Sequence, residues 1–70
     1  GPIFITLKSY FDERIILVIN NGPKIQDETI ELFRGCVTAS NIIEEEVIDC
    51  FDKTLSFSIE PYSYKFYKLE

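Results

Sequence analysis

The sequence predicts an all-β protein, a small antiparallel β-sandwich of six to seven short strands. Three observations predict this fold class. Apolar and polar residues alternate over much of the chain, which is the period of a strand with one buried face. Turn residues recur every several positions, and no helix of about ten residues is visible to support parallel β–α–β winding. Seventy residues hold one hydrophobic core, so we predict a single domain over residues 1–70.

The N-terminal half contains three predicted strands. Residues 3–8 alternate as a half-buried strand would, and residues 9–13 contain polar residues that can turn the chain. Residues 14–20 are almost continuously apolar and β-branched, which predicts a central strand covered on both faces. The chain breaks at 20–23, because Asn-Gly tolerates positive φ and proline cannot donate to a sheet ladder. An extended segment resumes over residues 26–33.

The C-terminal half begins with Gly35, which indicates a turn or bulge before a strand at 36–39. In the next segment, Asn41 followed by Glu44 fits the capping box of a helix. That segment is short and ends in β-branched residues, so we predict a turn and a short strand, with helix as the alternative over 41–51. Residues 54–59 alternate strictly, Glu60-Pro61 breaks the strand, and an aromatic last strand follows to Leu69.

The charge of the chain excludes two classes of partner. Twelve acidic and seven basic residues give a net charge of −5, whereas nucleic acids and anionic membranes are bound by cationic surfaces. A carbohydrate or another protein domain remains possible. No basic and apolar leader is visible. The sequence lacks methionine, and Gly1-Pro2 resembles the stub that a tag-removing protease leaves, so we predict a fragment of a larger protein.

Catalytic machinery is not visible in the sequence. There is no histidine, the three glycines are isolated, and neither cysteine has a base beside it. We therefore predict no catalytic residue, no metal site and no cofactor, and we interpret the run Glu44–Glu46 as a solvated loop or edge. Base rates favour reduced, buried Cys36 and Cys50 over a disulfide, and they slightly favour the cytoplasm.

The aromatic residues are the best candidates for a contact surface. Alternation within strands assigns about half of them to the core and half to the surface or a partner. The candidates for contact are Tyr10, Phe11, Tyr62, Tyr64 and Tyr67. Tyr10 and Phe11 stand out among these because they lie in a predicted turn, where alternation does not explain them.

Two stretches resemble the C-terminal β-domain that follows the catalytic barrel in many glycoside hydrolases, including the α-amylase family and barrel-type β-galactosidases. The first is the early strand ending in an asparagine step, residues 16–21. The second is the closing pattern of an alternating strand, a Pro-Tyr break and a final strand, residues 55–69. The family's Asp-Leu-x-x-Gly turn is replaced here by residues 39–43.

The resemblance implies a non-catalytic accessory domain that packs on the catalytic barrel of its parent protein and stabilises it. No catalytic residue carries over, because the family's acids belong to the barrel. Two other functions remain open. A carbohydrate-binding module would expose its tyrosines in a planar row. An unrelated interaction domain would present a long, unblunted edge strand to a partner's sheet.

Overall fold

The computed structural model describes residues 2–32, 34–35 and 38–70. These residues form seven antiparallel strands in two sheets, so the predicted all-β fold class is confirmed. They include no helix, and therefore none long and apolar enough to cross a membrane. The strands are β1 (Ile3–Tyr10), β2 (Glu13–Asn20), β3 (Gln26–Glu31), β4 (Thr38–Asn41), β5 (Glu46–Asp49), β6 (Thr54–Ile59) and β7 (Ser63–Leu69).

The larger sheet has five strands in the order β1-β2-β7-β4-β5, and the smaller sheet pairs β3 with β6. In the larger sheet Ile3 lies opposite Asn20 and Tyr10 opposite Glu13, without a skipped residue. The apolar β2 lies between β1 and β7, which confirms its prediction as a central strand. The predicted cover on both faces is wrong, because the outward Ile15, Leu17 and Ile19 are only half-buried. The position of β2 lets it bury alternate side chains between the sheets.

The core lies between the two sheets. In the larger sheet β2 and β7 supply most of it, and in the smaller sheet β6 does. The Tyr67 ring packs on Phe57 with its centroid 5.6 Å away. The buried apolar residues are Ile16, Val18, Leu32, Ala39, Leu55, Phe57, Ile59, Tyr67 and Leu69.

A buried amide, that of Asn20, ties the larger sheet to the connections of the smaller one. Its Nδ2 donates to the carbonyl oxygens of Lys24, Ile59 and Glu60, at 2.8, 3.2 and 3.0 Å. Its Oδ1 accepts from the N–H of Gly22 at 2.9 Å. A fully buried polar group needs such partners, and here they also fix the chain at the predicted break.

The segment that fitted both helix and strand is a turn over residues 42–45 followed by β5, as predicted. The Asn41 Oδ1 accepts from the N–H groups of Ile43 at 3.1 Å and Glu44 at 3.4 Å. A helix N-cap makes the same bonds. At Glu45, however, φ is 56°, so the backbone leaves the helical region and turns back into β5.

The prediction of a half-buried β1 is wrong. Only Ile3 of this strand packs against the core, and Ile5 and Leu7 are 39% and 45% exposed. The smaller sheet has two strands, and at about 4.8 Å per strand it is too narrow to cover five. β1 is therefore an edge strand exposed on both faces.

The prediction of reduced cysteines is also wrong. Cys50 is disulfide-bonded and packs against the core just after β5. Cysteine content alone could not indicate which side chains the strands bring together. Disulfides persist in oxidising compartments, so the slight preference for the cytoplasm loses this support. Phe33, Cys36 and Val37 lie outside the described residues, as does the start of the strand predicted at 36–39.

Candidate functional site

The outer face of the larger sheet carries a continuous group of apolar side chains. Residues that pair across an antiparallel ladder lie on the same side of the sheet. Ile16 and Val18 point into the core, so the odd-numbered residues of β2 and their partners point outward. We call this surface the outer apolar face; it consists of Phe4, Ile15, Leu17, Ile19, Tyr64 and Phe66.

Two rows across the strands form most of the outer apolar face. In the first row, Ile19 lies between Phe4 on β1 and Tyr64 on β7. In the second, Leu17 lies between Thr6 on β1 and Phe66 on β7. Phe4 and Tyr64 are 61% and 57% exposed. Aromatic and β-branched pairs of this kind support a sheet, but much of their surface remains in water.

The outer apolar face ends at a charged row. Ile15 there lies between Lys8 on β1 and Lys68 on β7. The Lys68 ammonium is 3.5 Å from the Glu13 carboxylate, and both side chains are largely exposed. The apolar surface is therefore bounded on this side by charge, as the polar rim of a protein interface is.

The outer face of the smaller sheet is polar throughout. The hydroxyls of Thr29 and Ser56 hydrogen-bond across the strands at 2.9 Å, and the Ser58 hydroxyl donates to Asp27. The outward residues are Asp27, Thr29, Glu31, Thr54, Ser56 and Ser58. Among the described residues, the outer face of the larger sheet resembles an interface and that of the smaller sheet does not.

The structure exposes four of the five predicted contact residues. Tyr10, Phe11, Tyr62 and Tyr64 are all more than half exposed. Tyr67 is fully buried on the inner face, so its prediction as a contact residue is wrong. Alternation placed it on the opposite face from Tyr64 but could not tell which face the smaller sheet covers.

The exposed tyrosines lie at opposite ends of the larger sheet. Tyr10 pairs with Glu13 at one end of β2, and Tyr64 pairs with Ile19 near the other. Six residues of strand separate these positions, about 20 Å. Tyr62 lies in the turn just before β7, on the Tyr64 side. The planar row required by the tyrosine-platform hypothesis is therefore not formed.

A polar cluster around Glu46 was not predicted. Its carboxylate accepts from the Lys65 ammonium at 3.2 Å and from the Tyr67 hydroxyl at 3.1 Å. Asn41 pairs with both Glu46 and Tyr67, and this register brings the cluster together. The partners are 19 and 21 residues from Glu46 in sequence, so no local pattern could reveal them.

The cluster shifts the pKa values of two of its members. Burial raises the pKa of the Glu46 carboxyl, but the hydrogen bond and charge of Lys65 and the Tyr67 hydroxyl lower it more, so it lies below its ordinary value. Burial, followed by the negative charge of Glu46, raises the pKa of Tyr67. A carboxylate held ionised in this way lacks the raised pKa of a general acid. Within the described ranges, no three ligating side chains are grouped to hold a metal.

The fold of the whole chain is similar to a part of several solved structures. An α-amylase from Anoxybacillus superimposes with a TM-score of 0.84 at 18% identity, over 97% of this chain and 15% of the amylase. AmyP in complex with maltotriose superimposes with a TM-score of 0.86 at 14% identity, over 99% of this chain and 14% of AmyP. The α-galactosidase I of Mortierella vinacea superimposes with a TM-score of 0.79 at 8% identity, over 99% of this chain and 21% of the galactosidase.

The chain has the fold of one small part of these glycosidases. The resemblance to glycoside hydrolases predicted from the sequence is thus confirmed for the fold. The chain spans between 14% and 21% of the length of these three structures. No protein-family model and no curated protein matches it.

Proposed function

We propose that this chain is a non-catalytic accessory domain of a glycoside hydrolase, C-terminal to the catalytic barrel, and that it packs on the barrel and stabilises it. The fold similarity to a small part of three glycosidase chains supports this proposal. The single observation that carries it is the outer apolar face.

The outer apolar face has the chemistry of a surface that a neighbouring domain covers. Fully burying one large apolar side chain contributes about 1.5–3 kcal/mol, and this face offers several together. A domain of this size has a small core of its own, so the buried face would stabilise the domain and the barrel mutually. The polar face of the smaller sheet would remain in water.

The non-catalytic part of the proposal rests on the carboxylates. Glycoside hydrolysis uses two carboxyl groups with different roles, one of them with a raised pKa. Glu46 is held ionised by Lys65 and Tyr67, which is the opposite tuning from that of a general acid. The catalytic acids would belong to the barrel.

The test uses the full-length protein that contains this chain, with a variant on each outer face. Leu17→Lys places a charge in the middle of the outer apolar face, and Ser56→Lys places the same charge on the polar face. We expect Leu17→Lys to shorten the half-life of glycosidase activity on heating by about tenfold or more, and Ser56→Lys to leave it unchanged.

Two results would contradict this proposal. Equal half-lives for the two variants would show that the outer apolar face does not contact the catalytic domain. A full-length protein without any glycosidase domain would exclude the accessory role altogether. The same two variants of the isolated chain serve as a control for folding. Both positions are outside the core, so both variants should fold.

The edge strand β1 favours a second candidate function, that of an unrelated interaction domain. β1 has eight residues, one charge, no proline and no bulge, whereas the opposite edge β5 has four residues including Glu46 and Asp49. Long, uncharged edges accept further strands. Slow hydrogen exchange of the outward amides of β1 in the full-length protein would favour this function, and fast exchange would oppose it.

A further inference from the structure

The turn between β1 and β2 presents two aromatic rings to solvent. Tyr10 and Phe11 are 72% and 87% exposed. Their ring centroids are 4.6 Å apart and their planes meet at 71°, which is the favoured edge-to-face geometry. The rings contact each other, and both remain largely open to solvent.

The backbone at Phe11 is unfavourable for the residue it carries. Tyr10 pairs with Glu13, so the loop contains two residues, and Phe11 has a φ of 54°. Hairpin loops place glycine or asparagine in this conformation, and other residues adopt it at a cost. The exposed Phe11 ring returns no burial energy, so folding does not explain this residue.

A cleft of about 270 Å³ lies beside this turn, with Asp12 in its lining. Asp12 lines both this cleft and the hollow beside Tyr10 and Phe11, so the two are neighbours on the surface. The Arg14 guanidinium donates to the carbonyl oxygens of Arg34 at 2.9 Å and Gly35 at 2.7 Å, which fixes its orientation. The cleft is lined by Asp12, Arg14, Arg34, Gly35, Leu69 and Glu70.

The side chains that line the cleft carry equal numbers of positive and negative charges. Arg14 and Arg34 supply two positive charges, and Asp12 and Glu70 supply two negative ones. An anion or a cation would therefore meet repulsion as well as attraction. A ligand with many hydroxyl groups can accept from guanidinium N–H groups and donate to carboxylates at the same time.

We infer that this end of the domain binds a neutral oligosaccharide. One sugar ring stacks its apolar face on Phe11 beside Tyr10, and the hydroxyls of a neighbouring sugar bond to Asp12 and Arg14. The site lies beyond the charged row that bounds the outer apolar face. Saccharide binding at this site is a function beyond the proposed accessory role. Either proposal can be wrong while the other is right.

The test titrates the 70-residue chain with maltotriose, melibiose and cellotriose to about 10 mM, following amide shifts by NMR, because an open site of this size binds weakly. Phe11→Gly removes the ring and relieves the positive φ, so it should fold at least as well as the parent. Tyr62→Gly is the matched control, since Tyr62 is also exposed, has a φ of 51° and lies at the opposite end.

The expected result is saturable binding of at least one saccharide, with shifts at residues 10–14, 34–35 and 69–70. Phe11→Gly should weaken it about tenfold or more, and Tyr62→Gly should leave it unchanged. No binding of any of the three saccharides would overturn the inference. So would equal loss in both variants, or shifts confined to the Tyr62 end.

Discussion

Strand β6 presents Ser56 and Ser58 to water on the outside of the smaller sheet, whereas β2 presents Ile15, Leu17 and Ile19 on the outside of the larger one. On their inner faces the two strands are alike. Leu55, Phe57 and Ile59 of β6 meet Ile16 and Val18 of β2 in one core.

The difference between the outer faces is therefore not a requirement of the fold. A sheet needs one apolar face to pack on its partner, and β6 shows that serine is sufficient on the other. The apolar side chains outside the larger sheet are consistent with the proposed contact to a neighbouring domain. The outward positions, unlike the core, therefore differ in character between the two sheets.

The largest expected effect separates the two faces of β7. Tyr67→Ala removes a fully buried ring and should lower the free energy of unfolding by about 3–5 kcal/mol. Tyr64→Ala, on the outer face of the same strand, should change it by less than about 1 kcal/mol. Urea unfolding of the isolated chain measures both. Equal losses would mean that the outer apolar face stabilises the domain itself, which would contradict the distinction between the two faces.

A smaller change in stability is expected at Glu46, on the inner face of the larger sheet. Because the folded-state pKa of Glu46 is depressed, the stability it contributes is present above its ordinary pKa of about 4.5 and is lost as pH falls through the folded value. Glu46→Gln should lower stability at pH 7 by less than about 1 kcal/mol, since the carboxylate is partly exposed.

The pH profile distinguishes this contribution from a merely steric one. Between pH 6 and pH 3, Glu46→Gln should lose less stability than the parent chain, because the variant has no carboxylate to protonate at this position. Lys8→Gln, which removes a lysine without a partner among the described ion pairs, is the control and should follow the parent profile. Parallel profiles for all three proteins would oppose the assigned role of Glu46.

The smallest expected change in stability comes from substitutions that make the outer face of the smaller sheet apolar, like that of the larger sheet. Replacing Thr29, Ser56 and Ser58 with valine removes exposed hydrogen bonds and should change the unfolding free energy by no more than about 0.5 kcal/mol per site. The new apolar face should instead cause self-association, seen by sedimentation. Thr29→Ser, Ser56→Thr and Ser58→Thr together keep the hydroxyls and should stay monomeric to the same extent as the parent.

The sequence predicted the strands well because alternation is a local signal. β6 was located by its period, β2 by its run of β-branched residues and β7 by its aromatic residues, with breaks at Gly22 and Pro61. Alternation assigns residues to faces, but it does not say whether a second sheet covers a face. That limit explains the errors at β1 and at Tyr67, both of which depend on the width and position of the smaller sheet.

The candidate sites were predicted less completely. Tyr10 and Phe11 were identified because aromatic residues in a turn conflict with local rules. The outer apolar face was not identified as a unit, since its rows combine β1, β2 and β7, which are distant in sequence. The disulfide of Cys50 and the Glu46 cluster likewise depend on pairings that only the folded chain defines.

The hydrogen bond from Gly22 to Asn20 affects the chemical ageing of the protein. Asn21-Gly22 is the dipeptide most prone to deamidation, a reaction in which the glycine nitrogen attacks the preceding carboxamide to form a cyclic imide. In the folded chain that nitrogen donates to Asn20 Oδ1 at 2.9 Å, Gly22 is buried, and the Asn21 N–H is bonded to the Pro2 carbonyl at 2.8 Å. The loop is therefore held away from the cyclic geometry, and deamidation at Asn21 would record how often this end of the domain opens.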